Sequence, residues 1–337
     1  MTHRLYCPIF MQSGMEIALP AHAARHAQVL RLQPGDAVEL FHGGLAALQA
    51  AAGGAGQPAS AGVALAAAGS AAGSAAVVAS AGAGSGASAA GAFAKGLAAE
   101  ESAEESPEVC TTGYFRATIS HMGRSEVRAH INAWCAPAKD AGVQVHIVCG
   151  MPANERMDWL IEKATELGVA SIQPVLTARS VLRLSGERAH KRVAHWQAVA
   201  VAACEQSGRT VVPPVWPIMD LRAFLAQPAV QTWQAQAQQA HGAQEGGAHK
   251  WLLSLRPQSA AFAAVRAAIG KASRAPVYLL SGPEGGLAED EENAAMAQGW
   301  QPLSLGAHTL RAETAPVAVL AALGLSLGLQ DISMPGI

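Results

Sequence analysis

The spacing of apolar and polar positions changes character near residue 143. Before that point the apolar runs are short and separated by turn residues. His3–Tyr6, Ala37–Phe41, Gly113–Ile119 and Glu126–Ile131 read as strands. One helix is predicted there. From His22 to Leu32, Ala23, His26, Ala27 and Leu30 recur at helical spacing, and Gln33-Pro34-Gly35-Asp36 turns the chain. Several short strands with glycine turns predict a small β barrel, split by an insertion. After residue 143, strands alternate with helices. Val143–Cys149, Ile172–Leu176, Trp251–Leu255, Val277–Leu280 and Pro302–Leu305 read as strands. Asn154 caps a predicted helix that ends at Gly168, with Met157, Leu160, Ile161, Ala164 and Leu167 on one face. A second helix over Glu187–Gln206 turns Val193, Trp196, Val199 and Ala203 inward. Val211–Val215 holds two prolines and is an edge strand at best. The last helix, Thr314–Leu329, is apolar on nearly every face and requires cover on all sides, with Pro316 tolerated in its first turn. This alternation predicts an α/β layer with a mostly parallel sheet.

Length and composition refine the division. The 337 residues give room for two domains, 1–140 and 141–337. Residues 44–110 interrupt the first. From Gly44 to Ala94 that insertion has no charge at all, and an acidic cluster follows. Ala, Gly and Ser bury too little apolar surface to offset ordering entropy, so a flexible loop between two strands is expected. A second Gln- and Ala-rich stretch, 226–249, reads as a loop or loose helix. The net charge of −2 hides an uneven distribution. Segment 44–108 has Lys95 against five glutamates, a net of −4, so the remainder carries +2. The five cysteines are scattered without C-x-x-C or metal spacing, which fits a reducing, cytoplasmic setting and predicts no metal. No secretory leader is read at the N-terminus. The uncharged 61–94 stretch lacks large apolar residues, so no membrane span is expected.

Residues 277–315 carry the most chemical information. The apolar Val277–Leu280 enters Gly282-Pro283-Glu284-Gly285-Gly286, and acidic residues Glu289 to Glu292 open the next helix. A Gly-rich turn between strand and helix lets backbone approach a ligand, and also serves a purely structural tight turn. There is no phosphate-loop lysine motif, and no Lys or Arg lies between Arg274 and Arg311. Carboxylates crowd the helix start. A phosphate is therefore disfavoured, and a neutral or cationic ligand suits the turn.

The text of this region is specific. GPEGG, then SLG, then LRAET, resembles the C-terminal signature of the ribosomal RNA small-subunit uridine-N3 methyltransferases, the RsmE family of knotted SPOUT methyltransferases. The stretches NERMDWLIEKATELGVASIQPVLTARSV (154–181) and Val201–Arg209 resemble the family's central motifs, and the likeness covers about 2–43 and 111–330. It implies a C-terminal trefoil-knotted SPOUT domain and a small N-terminal PUA-like β-barrel domain that binds RNA. It also implies a homodimer, S-adenosyl-L-methionine as cofactor, and 16S ribosomal RNA or the small ribosomal subunit as partner.

By the same resemblance the cofactor pocket is formed by Thr177, Gly282, Glu284, Gly285, Gly286, Leu305, Gly306 and Leu310. Glu284 orients loop or ligand, or simply caps backbone amides. Arg311 is the expected catalytic cation for a developing uracil anion, and Glu313 orients it or takes the proton. A structural Arg311–Glu313 ion pair pinning the last helix is the plainer reading. Arg4, Arg25, Arg31, Arg116 and Arg209 are expected to meet RNA, with Arg124 and Arg128 nearby; an ordinary solvated surface has the same composition. Glu162, Lys163, Glu166, Glu205 and Gln206 also match family motifs, Glu205 and Gln206 at a dimer seam. His308 departs from the arginine common at its position, and Pro316 is also unusual. Two classes stay open: the methyltransferase, and a non-catalytic RNA-binding protein that kept the fold.

Overall fold

The computed structural model describes residues 2–44, 113–136, 143–153, 155–226, 248–268 and 275–327. Most of the insertion, the Asn154 cap and the Gln- and Ala-rich 227–247 lie outside them. The N-terminal strands are β1 (His3–Tyr6), β2 (Glu16–Ala18), β3 (Ala37–Phe41), β4 (Tyr114–Met122) and β5 (Val127–Cys135), with α1 (Ala21–Val29) between β2 and β3. They form one sheet in the order β1-β3-β4-β5-β2, so β1 and β2 are its outer strands. Only the β1–β3 pair is parallel. Alternation works as the sequence predicts: Phe115, Ala117 and Ile119 of β4 and Val127, Ala129 and Ile131 of β5 point into one core. The three-residue β2 was too short to leave a periodic signal.

The second layer begins with β6 (Val145–Gly150), α2 (Glu155–Glu166), β7 (Ser171–Leu176) and α3 (Gly186–Ser207). It continues with β8 (Met219–Asp220), α4 (Leu221–Ala226), β9 (His249–Leu253), β10 (Ala260–Ala261) and α5 (Phe262–Ala268). It ends with β11 (Val277–Ser281), α6 (Glu289–Ala297), β12 (Gln301–Ser304) and α7 (Thr314–Leu327). The seven strands pair in the order β10-β12-β9-β11-β6-β7-β8, all parallel. A parallel sheet needs cover on both faces, and two separate clusters supply it. Trp196, Trp251 and Val319 pack on one side and Phe224, Leu280 and Trp300 on the other. Each large side chain removed from water contributes about 1.5–3 kcal/mol.

Two predicted helix faces shift slightly. Met157, Leu160, Ile161 and Ala164 are buried as expected, but Leu167 is 38% exposed because α2 has ended at Glu166 and Gly168 turns away at φ 89°. On α3 the buried line is Trp196, Ala200, Ala203 and Cys204. Val193 and Val199 are only partly covered, because the helix rolls its small residues against α2. Around α7, Pro316, Val319, Leu320 and Leu323 are buried while Val317, Ala318, Ala321 and Ala322 are half-exposed, so cover by the described residues is incomplete.

The two sheets are tied together at the C-terminal end of α3, where several residues expected at RNA or a dimer seam make contacts within the chain. Glu205 accepts the Tyr6 amide at 2.9 Å and faces His26 Nδ1 at 3.1 Å, so its carboxylate is engaged within the chain. Arg209 Nη1 donates to the carbonyls of Thr165 (2.9 Å) and Val169 (3.1 Å), clamping the end of α2. Arg4 pairs with Glu39 at 2.8 Å, donates to the Arg209 carbonyl, and lies over the rings of Phe41 and Tyr114. Neither Arg4 nor Arg209 is free to meet RNA phosphate. Both guanidiniums were drawn inward by carbonyls and rings distant in sequence. Gln206 is exposed, and Lys163 bridges Glu162 and Glu166 at 2.8 Å each.

Replacing Arg209 with alanine strands two carbonyls that accept from a charged donor. Arg209→Ala is expected to lower stability by about 2 kcal/mol, read as a lower urea midpoint at unchanged slope. A midpoint equal to that of the parent chain would show that the clamp is incidental.

Candidate functional site

Strands β12, β9 and β11 are neighbours and run parallel, so the loops leaving their C-terminal ends meet at one edge. That edge is where open parallel sheets bind ligands. The loop after β11 is the Gly282–Gly286 turn, closed by the Gly286 amide donating to the Pro283 carbonyl at 2.8 Å. A Cβ on Gly282 would lie 2.6 Å from the Leu287 nitrogen and 2.7 Å from the Gly286 carbonyl carbon. Gly286 has φ 67°. Both glycines are therefore needed for the turn to close on itself. Gly150, at the end of β6, is needed too: a Cβ there would sit 2.5 Å from Pro283 Cδ.

These loops enclose a cavity of about 420 Å³. Gly282, Glu284, Gly286, Leu305, Gly306, Leu310 and Arg311 line it, together with His308 at the rim. Two expected residues do not. Thr177 is buried and exchanges a 2.9 Å hydroxyl hydrogen bond with Ser180. It follows β7, which β6 separates from β11, so its loop lies outside the turn. Gly285 faces that loop, and Arg179 Nη1 donates to its carbonyl at 2.8 Å. The third wall comes from Leu253 at the end of β9 and from Ser254 and Leu255 after it, which sequence reading missed because no glycine marks them.

The electrostatics also differ from the linear reading. The acidic residues opening α6 do not face the cavity as free charges. Glu291 accepts the amides of Ala178 (2.7 Å) and Ala288 (2.8 Å), Asp290 pairs with Arg222, and Glu292 pairs with Arg256. The carboxylate lining the cavity is Glu284. Its Oε1 accepts the Ala153 amide at 2.9 Å and an Arg156 Nη1 bond at 3.1 Å. Burial pushes this carboxyl up, but the amides of Ala153 and of Glu284 itself, with the Arg156 guanidinium, outweigh it and hold the group below its ordinary range. Three of the four acids opening α6 are thus engaged within the fold, Glu289 is exposed, and the negative charge lining the cavity is that of Glu284.

Arg156, on the first turn of α2, is a wall residue that sequence reading overlooked. It reaches Glu284 and stands 4.0 Å from Glu313 Oε1 through its Nε. The expected Arg311–Glu313 ion pair does not form among the described residues, and Arg156 takes that place. Glu313 is 6% exposed, and its Oε2 is buried with no hydrogen-bond partner among the described residues. The Ser281 hydroxyl, on the cavity wall, is likewise unpartnered. Arg311 is exposed at the rim. Elsewhere Arg25, Arg31 and Arg116 are exposed, as are Arg124 and Arg128, the last paired with Glu126 and Glu16. Among the described residues no group of three or more His, Cys, Asp or Glu could hold a metal, and no helix is long and apolar enough to cross a membrane.

Known proteins share this architecture. The sequence pattern of the RNA methyltransferase domain matches residues 139–324. The chain is 31% identical over 216 residues to ribosomal RNA small subunit methyltransferase E of Bacillus subtilis (strain 168), spanning 64% of this chain and 79% of that protein. The protein of the same name from Mycobacterium bovis is 30% identical over 219 residues, 65% of this chain and 76% of that one. A crystal structure of ribosomal RNA small subunit methyltransferase E from Neisseria gonorrhoeae, bound to S-adenosyl methionine, superposes with a TM-score of 0.66. At 24% identity over 97% of this chain and 98% of that chain, this likeness shows the fold.

The Glu284 tie has a pH signature. A carboxyl depressed in the folded state contributes stability that is complete above its ordinary value near 4.5 and is lost as pH falls through the lower folded value. Glu284→Gln is therefore expected to unfold more easily than the parent chain at pH 7 and to match it in strong acid. A stability difference that stays constant down to pH 2 would refute this.

Proposed function

We propose that this chain, which belongs to the RNA methyltransferase family, transfers a methyl group from S-adenosyl-L-methionine to N3 of a uridine in 16S ribosomal RNA of the small subunit. The observation that carries the reading is the cavity at the ends of β9, β11 and β12, with the GPEGG turn and Arg311 on its wall. Its residues fit the cofactor. A volume of about 420 Å³ is in the small-molecule range. Leu253, Leu255, Leu303 and Leu305 offer apolar faces for a flat base, and the ionised Glu284 suits a cation. The unpartnered Ser281 hydroxyl and the backbone groups of Gly282 and Gly306 supply hydrogen bonds. When bound, S-adenosyl-L-methionine supplies an electrophilic methyl group on a sulfonium.

The protein's part is to hold the base and manage its proton. Uracil N3 carries a weakly acidic hydrogen that must leave as the nitrogen attacks. Arg311, exposed at the rim, donates a fork of N–H groups to a uracil carbonyl oxygen and stabilises the charge developing there. Glu313, with one oxygen toward Arg156 and the other unpartnered, takes the proton. Arg156 keeps Glu284 and Glu313 in fixed relation across the wall.

On the same reading, residues 1–140, interrupted by 44–110, are a PUA-like RNA-binding domain, and 141–337 a trefoil-knotted SPOUT methyltransferase domain. Exposed Arg25, Arg31 and Arg116 belong to the RNA surface. The enzyme works in the cytoplasm as a homodimer, and the half-exposed Val317, Ala318, Ala321 and Ala322 of α7 support a subunit seam there.

The decisive experiment maps 3-methyluridine by mass in 16S ribosomal RNA from a strain lacking this protein. Modification is expected to disappear and to return with the wild-type gene; unchanged modification would remove the assignment. Arg311→Ala is expected to retain S-adenosyl-L-methionine affinity by calorimetry while kcat falls roughly a hundredfold or more. Full turnover in that variant would rule out the role of Arg311. A parent chain with no affinity for S-adenosyl-L-methionine would favour a non-catalytic RNA-binding protein.

A further inference from the structure

We infer that the loop between β7 and α3, with the first turns of α3, is an RNA-backbone surface that presents the strand to the cavity. This rests on the methyltransferase reading above. Every strand of the seven-stranded sheet is parallel, so this loop leaves the sheet at the same end as the cavity loops. It is fastened directly to the cavity turn. The Ala178 amide donates to Glu291 at 2.7 Å, and Arg179 Nη1 donates to the Gly285 carbonyl at 2.8 Å.

From Ala178 to Arg192 the chain has five cations, Arg179, Arg183, Arg188, Lys191 and Arg192, against Glu187 alone. A net of +4 over fifteen residues stands out in a chain whose total is −2. Arg179, Arg183, Arg188 and Lys191 are exposed, and Arg192 is half-buried. Among the described residues Arg179, Arg183, Arg188 and Arg192 have no carboxylate partner, while Lys191 pairs with Glu187 at 3.0 Å in an exposed contact of little worth. Arg188, Lys191 and His195 follow at three- and four-residue steps, so they share one stripe of the helix surface. His195 is held by Asp158 at 2.8 Å. Between Glu187 and Glu205, α3 carries no acid.

The helix also points the right way. The loop before its N-terminal end is fastened to the cavity turn and α6 through Arg179 and Ala178, and its C-terminal end touches β1 and α1 through Glu205. Twenty-two residues span about 33 Å. Arg179 and Arg183 each spend one N–H on a carbonyl, of Gly285 and Ala178, and exposed guanidiniums with no carboxylate partner match phosphate, each phosphate contact releasing counterions. With Arg4 and Arg209 turned inward, this surface supplies exposed cations on the loop fastened to the GPEGG turn and on the helix that follows it.

The test uses the full chain with Arg183→Gln and Arg188→Gln combined, and binding of small-subunit ribosomal RNA measured against potassium chloride. If each guanidinium neutralises one single-stranded phosphate, the slope of log K against log salt becomes shallower by roughly 1.4, and affinity near 0.1 M salt falls roughly tenfold or more. S-adenosyl-L-methionine affinity is expected to stay the same, as is the salt slope of Arg266→Gln, an exposed arginine on α5. Should the double variant lose cofactor affinity, Arg188→Gln with Lys191→Gln, on the helix surface alone, carries the same comparison. An unchanged slope and affinity, while the parent chain binds and methylates RNA, would overturn this surface and leave the methyltransferase reading intact. Weaker binding to assembled small subunits with unchanged binding to naked RNA would assign the surface to a protein partner and overturn it too. A parent chain that neither binds nor methylates RNA would instead fail the function itself.

Discussion

Where β6 ends, Gly150 runs against Pro283 so closely that a methyl group in place of its hydrogen would lie 2.5 Å from the ring. Backbone packed on backbone at this distance fixes the height of the GPEGG turn above the sheet. The same closeness recurs inside the turn, where Gly282 meets the Leu287 amide. The cavity depends on this contact. The turn forms one wall, and the loops after β9 and β12 close over it from neighbouring parallel strands. Glycine is required here chiefly because the main chain has no other way to pass, and the room left for a ligand follows from that.

Around this frame charge is arranged in pairs that join distant segments. Glu284 meets Arg156 and the Ala153 amide, Glu291 joins the β7 loop to α6, and Glu292 joins α6 to Arg256 in the β9 loop. Each carboxylate therefore fastens one loop of the site to another. Among the buried polar atoms without a partner in the described residues, the Ser281 hydroxyl lies on the cavity wall, and the second oxygen of Glu313 lies two residues from the lining Arg311. A buried polar atom without a partner is costly, and such atoms beside a cavity are natural contacts for a bound molecule. In an RNA methyltransferase, that molecule is a methyl donor or a base.

Helix α3 links the two sheets and gives the cation distribution its meaning. At one end it is buried against β1 through Glu205 and the Arg209 clamp. At the other, and on the loop before it, it exposes arginines without carboxylate partners. Cations of the same residue type thus divide between holding the fold and facing solvent. What divides them is the presence of carbonyls and aromatic rings within reach, as for Arg4 over Phe41 and Tyr114.

Much of the architecture was legible in the chain itself. A period-two run marked Ala37–Phe41, a continuous apolar run marked Val277–Leu280, period-3.6 runs marked α2 and α3, and the glycines of 282–286 marked the turn, because local sterics and burial act over a few residues. Of the site, Gly282, Glu284, Gly286, Leu305, Gly306, Leu310 and Arg311 could be named in advance because they sit on loops with recognisable text. Tertiary structure alone decided the rest. Strand order excluded Thr177 and brought in Ser254 and Leu255, since adjacency in a parallel sheet is unrelated to spacing along the chain. It also chose Arg156 rather than Arg311 as the neighbour of Glu313, and turned Arg4 and Arg209 inward. Charge pairing is set by distances of a few ångströms in space, and one-dimensional order records only which charges exist.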